Sequence, residues 1–142
     1  MALFSEIIFT PRLKLRRMTL NDIPRLVRWS NSREAHGDYL SPEYMSEEAC
    51  REKLESGQTW APNNKCFLIE TKQDALPIGT IHYWLRSERE ECAVAKVRIA
   101  ETEERGKGYG TEAQKYLIID LFDRAGVSEV EMYTDINNKA QQ

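Results

Sequence analysis

Residues 92–134 read CAVAKVRIAETEERGKGYGTEAQKYLIIDLFDRAGVSEVEMYT, and the order of patterns in this stretch decides the fold. The first nine residues (92–100) form a largely apolar run of strand character. Three glycines then fall within RGKGYG (105–110), and an amphipathic helix follows without a break over 110–125. Its stripe is Ala113, Leu117, Leu121 and Ala125, widened by Ile118 and Phe122. Gly126 stands where a helix C′ residue belongs, and a further strand covers 128–134. A crossover of this length predicts a parallel, right-handed strand pair.

Glycine has a physical use directly in front of a helix. The helix N-terminus offers backbone N–H groups without intrahelical partners and about half a positive charge. Glycines there remove Cβ atoms, so an anion with several oxygens can approach the backbone closely. Arg105 and Lys107 add two cations. A phosphate or pyrophosphate is the natural guest, and a plain surface turn would need fewer glycines. The dinucleotide fingerprint G-x-G-x-x-G starts correctly at Gly106 and Gly108 but fails at its third glycine, where Thr111 stands. A Walker loop and the kinase signatures are absent from the sequence.

Upstream, RLKLR (12–16) alternates charge and apolarity as a half-buried strand near an edge does. A helix follows with Ile23, Leu26, Val27 and Ser30 on one face; Asn21 as its cap would place Pro24 harmlessly in the first turn. Ser46, Glu47 and Glu48 open a second helix that runs to Gly57. CFLIET (66–71) and IGTIHYWL (78–85) read as antiparallel strands around a short turn. The architecture is α+β, with an antiparallel first part of the sheet and a parallel last pair.

The 142 residues suit one domain, spanning 1–142, with 41% hydrophobic and 30% charged residues. A net charge of −3 gives no overall footprint for nucleic acid. No apolar run reaches the roughly 18 residues of a membrane span, and no signal peptide is evident. Three scattered cysteines, Cys50, Cys66 and Cys92, read as reduced packing residues in a cytoplasmic protein. Together with His36 and His82 they show no metal-ligand spacing, so no metal is expected.

RGKGYGTEA (105–113) resembles motif A of the GNAT superfamily of acyl-CoA-dependent N-acyltransferases, [Q/R]-x-x-G-x-[G/A], with Arg105, Gly108 and Gly110 at the defining positions. TPRLKLRRMTLNDIPRLVRW (10–29) resembles the opening of the ribosomal-protein N-acetyltransferase-like branch. DINNKAQQ (135–142) is similar to the D-x-N-x-x-[A/S] that follows the fifth strand in that family. The order of elements matches over nearly the whole chain. The resemblance implies a GNAT-like mixed sheet with a splayed parallel pair. It implies that the backbone of Arg105, Gly106, Lys107, Gly108, Tyr109, Gly110 and Thr111 holds the pyrophosphate of acetyl-CoA. It also implies that the pantetheine arm pairs near Arg98, Ile99 and Ala100, and that Asn137 touches the cofactor. The implied reaction is direct attack of a primary amine, on a small molecule or a protein N-terminus, at the thioester.

The family's thiolate acid is a tyrosine on the next helix, about four residues past the position of Ala140, followed by two closing strands. The chain stops at Gln142. Without such a tail, strand 128–134 would be an open edge with Val130 and Met132 uncovered, and a homodimer through that edge is expected. No residue is assigned as catalytic base or acid, which keeps a non-catalytic acyl-CoA-binding module as the alternative. Glu101 and Glu103 read as solvated loop carboxylates rather than as a base. His82 and Trp84 share a strand face and read as core or surface residues, although the third strand of this fold can line the acceptor cleft. His36 fits an acceptor-recognising loop or a plain loop equally.

Overall fold

Strict alternation in Leu13–Arg17 sends Leu13 and Leu15 into the core, both fully buried, and leaves Lys14 and Arg16 on the opposite face. A computed structural model describes residues 7–31, 46–57, 59–86, 91–124 and 126–134. Within it the strands are β1 (Ile7–Phe9), β2 (Leu13–Arg17), β3 (Trp60–Ala61), β4 (Asn64–Thr71), β5 (Pro77–Leu85), β6 (Cys92–Ile99) and β7 (Glu129–Thr134). The helices are α1 (Ile23–Ser30), α2 (Glu47–Glu55) and α3 (Tyr109–Arg124). Short 3-10 turns precede α1 (Leu20–Asp22) and α3 (Thr102–Glu104).

Among the described residues the strands form one sheet in the order β1-β2-β4-β5-β6-β7, with β3 paired to the start of β4. Every pairing is antiparallel except β6 with β7, which is parallel from Cys92↔Glu129 to Val97↔Thr134. The crossover through α3 has the expected outcome. Strands β1 and β3 carry no signal in the sequence because three and two residues are too short for a periodicity to register.

Helix α3 covers one face of the sheet. Ala113, Leu117 and Leu121 are buried there against Leu15, Ile69, Ile81, Ala95 and Val97. Each fully buried leucine contributes about 1.5–3 kcal/mol. Val130 and Met132 also pack against this core, half-buried, so the exposure expected for them is not found. Phe122, expected to widen the stripe, is 46% exposed, because its position turns away from the sheet. Ala125 lies outside the described residues.

Helices α1 and α2 lie on the opposite face, where Met18, Trp29, Leu68 and Ala100 form a second core with Leu26, Leu54 and Cys66. Ser46 caps α2 as expected, its Oγ accepting from the N–H of Ala49 at 3.0 Å. The start of α1 departs from expectation. Thr19 rather than Asn21 begins the preceding turn, and Asp22 is the N-cap of α1. The reason is Arg16, whose guanidinium donates both Nη groups to the Asp22 carboxylate at 2.9 Å and Nε to Glu70 at 2.8 Å. A fork of this kind is among the stronger side-chain interactions.

Candidate functional site

Gly79 lets β5 and β6 approach closely: a Cβ at that position would lie 2.1 Å from the carbonyl oxygen of Arg98. Beside it the end of β6 bulges, and the N–H groups of both Ala100 and Glu101 donate to Ile78 O, at 2.8 and 3.1 Å. Because Ala100 donates across the Gly79↔Ile99 pair, alternation of the ladder turns the N–H and C=O of Ile99 away from β5. They point to the β7 side, two residues past the pair Val97↔Thr134. The Arg98 C=O and the Ala100 N–H face β5, whereas the Ala100 C=O, opposed to the Glu101 N–H in one trans peptide, turns away from β5 with the peptide groups of Ile99. Arg98 brings its side chain to the helical face instead.

The chain then passes through the 3-10 turn into the glycine loop. Gly106 and Gly108 have φ of +80° and +81°, the left-handed region that a side chain disfavours. Helix α3 begins at Tyr109, and Glu112 N–H makes a helical bond to Gly108 O at 3.0 Å. The N–H groups of Tyr109, Gly110 and Thr111 therefore lack acceptors within the helix and define a positive terminus.

The two cations of the loop do not stand as the sequence suggests. Arg105 folds back, and its Nε donates to Ile99 O at 2.7 Å. Lys107 Nζ lies 3.1 Å from Glu104. A third arginine, Arg12 on the β1–β2 turn, reaches the loop from about a hundred residues away. Its Nε donates to Glu112 at 2.6 Å and one Nη to Lys107 O at 2.9 Å, and its guanidinium lies 4.5 Å from the Tyr109 ring centre. Thr10 Oγ1 and the Arg12 N–H also donate to Glu112, at 2.5 and 2.8 Å. Burial pushes the Glu112 pKa up, but these bonds outweigh it and hold the carboxyl below its usual value.

On the opposite face a cleft of about 220 Å³ lies between the helices and the sheet, with Met18, Leu26, Trp29, Cys66, Thr80, Arg98 and Ala100 in its wall. Burial pushes the Cys66 thiol up to about 12, so it is a packing group. Beyond Ala100, Glu101 is no solvated loop carboxylate. It accepts from Trp29 Nε1 at 3.0 Å, from Arg25 at 3.3 Å and from Arg28. Its burial raises the pKa, yet the Trp29 and Arg28 bonds and the arginine charges bring it below the ordinary carboxylate value. Such a carboxylate ties α1 to the end of β6 and is a poor base. Glu103 is exposed, as expected.

His82 lies 2.5 Å from Asn64 Oδ1 through Nε2 and packs 5.0 Å from the Trp84 ring. Burial, with Lys96 nearby, lowers its pKa and favours the neutral ring. His36 and Asn137 lie outside the described residues. Among the described residues no group of three or more His, Cys, Asp or Glu side chains could hold a metal, and no helix is long and apolar enough to cross a membrane.

The site is thus a helix N-terminus with two left-handed glycines, fed by a bulged strand and backed by a parallel crossover. The acetyltransferase (GNAT) domain family matches residues 12–142. The chain belongs to the GNAT acetyltransferases. Comparison with curated proteins gave no significant sequence match. Solved structures share the GNAT fold at low identity. A Vibrio cholerae protein described as a ribosomal-protein-serine acetyltransferase superimposes with a TM-score of 0.71 at 23% identity, over 95% of this chain and 78% of that one. RimL, a ribosomal L7/L12 alpha-N-protein acetyltransferase solved with coenzyme A, gives 0.73 at 15% identity, over 89% of this chain and 73% of that one. The aminoglycoside acetyltransferase AAC(6')-Ib, also with coenzyme A, gives 0.64 at 16% identity, over 84% and 73%.

The sequence reading of this GNAT domain missed Arg12 and Glu112. No local pattern links two residues a hundred positions apart. A glutamate in the first turn of α3 reads simply as favourable to the helix dipole.

Proposed function

We propose that this GNAT domain transfers the acetyl group of acetyl-CoA to a primary amine. The observation that carries the reading is the glycine loop: two left-handed residues, Gly106 and Gly108, open onto the N-terminus of a sixteen-residue helix. The backbone of Arg105 to Thr111 would hold the pyrophosphate, and the pantetheine arm would run along the β7 side of β6, where the Ile99 N–H can donate to it. Asn137 is proposed as a further cofactor contact. The amine would enter from the cleft by Trp29, Arg98 and Ala100, so that the last residues of β6 separate donor from acceptor.

In this arrangement the neutral amine nitrogen attacks the thioester carbonyl carbon. The C–N bond forms, the C–S bond breaks, the nitrogen loses a proton and the thiolate gains one. A backbone N–H aimed at the carbonyl oxygen would stabilise the charge that develops there. The coenzyme A complexes of RimL and of the aminoglycoside enzyme support the donor, and their acceptors support an amine. A cytoplasmic location is consistent with acetyl-CoA as donor.

Calorimetry with acetyl-CoA, with NAD as control, tests the donor. A panel of amines and N-terminal peptides assayed for free thiol release tests the reaction. Binding of acetyl-CoA with amine-dependent thiol release is the expected result. No binding at millimolar acetyl-CoA, or binding of NAD in its place, would overturn the proposal.

A further inference from the structure

We infer that Arg12 is a positioning residue for the cofactor loop, with Glu112 as its anchor; this rests on acetyl-CoA being the ligand of that loop. The guanidinium touches the loop at successive points. It accommodates Lys107 through the carbonyl bond of 2.9 Å and lies against the Tyr109 ring at 4.5 Å. Its second Nη sits 3.4 Å from where a Cβ on Gly108 would be. The Lys107 carbonyl and the Gly108 N–H belong to one planar trans peptide and point in opposite directions. Fixing that carbonyl on Arg12 therefore fixes the Gly108 N–H away from Arg12.

Two consequences follow. A loop with two left-handed glycines has many unfolded alternatives, and a ligand that had to order it would bind more weakly. Arg12 removes that cost in advance, and its own orientation is set by the bond to Glu112 at 2.6 Å. Electrostatics adds to this. Glu112 is an acidic side chain in the first turn of α3, at the end where an anionic ligand would sit. Pairing with Arg12 neutralises a charge that would otherwise repel the phosphates.

The acetyl-CoA affinities and ligand-free melting temperatures of the parent, Arg12→Met, Arg12→Lys, Glu112→Gln and the Arg12→Met/Glu112→Gln double variant test this. Arg12→Met should weaken binding about tenfold, through lost preorganisation and a carboxylate left without its counter-charge. Lysine keeps the charge but not the fork, so Arg12→Lys should remain about as weak. The double variant should bind about threefold tighter than Arg12→Met alone, because the bare Glu112 charge is gone. A residue with only a structural role would make affinity track melting temperature across the whole set, the double variant included. Parental affinity in Arg12→Met or Arg12→Lys, or affinity that follows stability throughout, overturns the inference and leaves the acetyl-CoA reading standing. A parent that does not bind acetyl-CoA overturns both. Should Arg12→Met fail to fold, Arg12→Lys carries the test: binding weakened at parental melting temperature supports it, and parental binding overturns it.

Discussion

Replacing Gly79 with alanine should destabilise this protein, against the rule for glycines in regular structure. Where the native backbone suits alanine, a Gly→Ala change stabilises by about 0.4–1 kcal/mol through the unfolded chain. Gly79 lies within β5 at an ordinary strand position, so strand propensity alone gives that sign. The β6 backbone reverses it. The new methyl would sit 2.1 Å from Arg98 O and 2.9 Å from the Ile99 Cα. The first distance is roughly 1.4 Å short of an ordinary contact of about 3.5 Å. Both obstacles are backbone atoms, and they are pinned by the bulge at Ile78 O, so no rotamer change relieves the clash. Overpacking costs about 1–3 kcal/mol, and a backbone obstacle belongs at the upper end. For 142 residues, a loss of about 3 kcal/mol corresponds to a melting point lower by roughly 6–12 °C. Urea unfolding of Gly79→Ala against the parent measures it. A difference under about 0.5 kcal/mol, or a gain, would show that β5 and β6 are not so close and that the bulge is misplaced.

Other outcomes are expected from the same geometry. Gly108→Val puts a branched side chain at φ +81° beside Arg12, and acetyl-CoA affinity by calorimetry should fall about tenfold or more while the exposed loop leaves the fold intact. Unchanged affinity would reduce the loop to a turn. Trp29→Phe deletes the donor to Glu101 and should cost about 1–3 kcal/mol in urea unfolding, since a carboxylate loses a partner; no cost would mean that Glu101 does not hold α1. Burial raises the Asp22 pKa, but the Arg16 and Thr19 bonds outweigh it and leave it lowered in the fold. Its stabilisation is thus present above the unfolded value of about 4 and is lost as pH falls through the lower folded value. The urea midpoints at pH 7 and pH 3 should lie closer together in Asp22→Asn than in the parent, and an equal spread would reject this role.

Much of this molecule was legible along the chain because its signals are local. The stripe of Ala113, Leu117 and Leu121 marks a helix that must bury one side. The glycine loop before that helix and the strands on either side announce a crossover, and a crossover allows only a parallel pair. Alternation in Leu13–Arg17 and the capping Ser46 follow from the same kind of short-range physics. These features also carried the family resemblance and the expected place of the phosphates.

What only the tertiary structure decided are relations between residues far apart in sequence. Arg12 meets Lys107 and Glu112, Trp29 meets Glu101, and Arg16 captures Asp22 and moves the start of α1. The pairing of Gly79 with Ile99 determines which peptide of β6 faces β7. Periodicity reports which face a side chain takes, but not which partner waits there. Charged side chains show the limit most clearly. Glu101 reads as a solvated loop carboxylate in sequence, yet it accepts from Trp29, Arg25 and Arg28 once α1 closes over the end of β6. Partial burial makes an unpaired charge costly, so packing leaves Glu101 with the partners that the topology brings within reach.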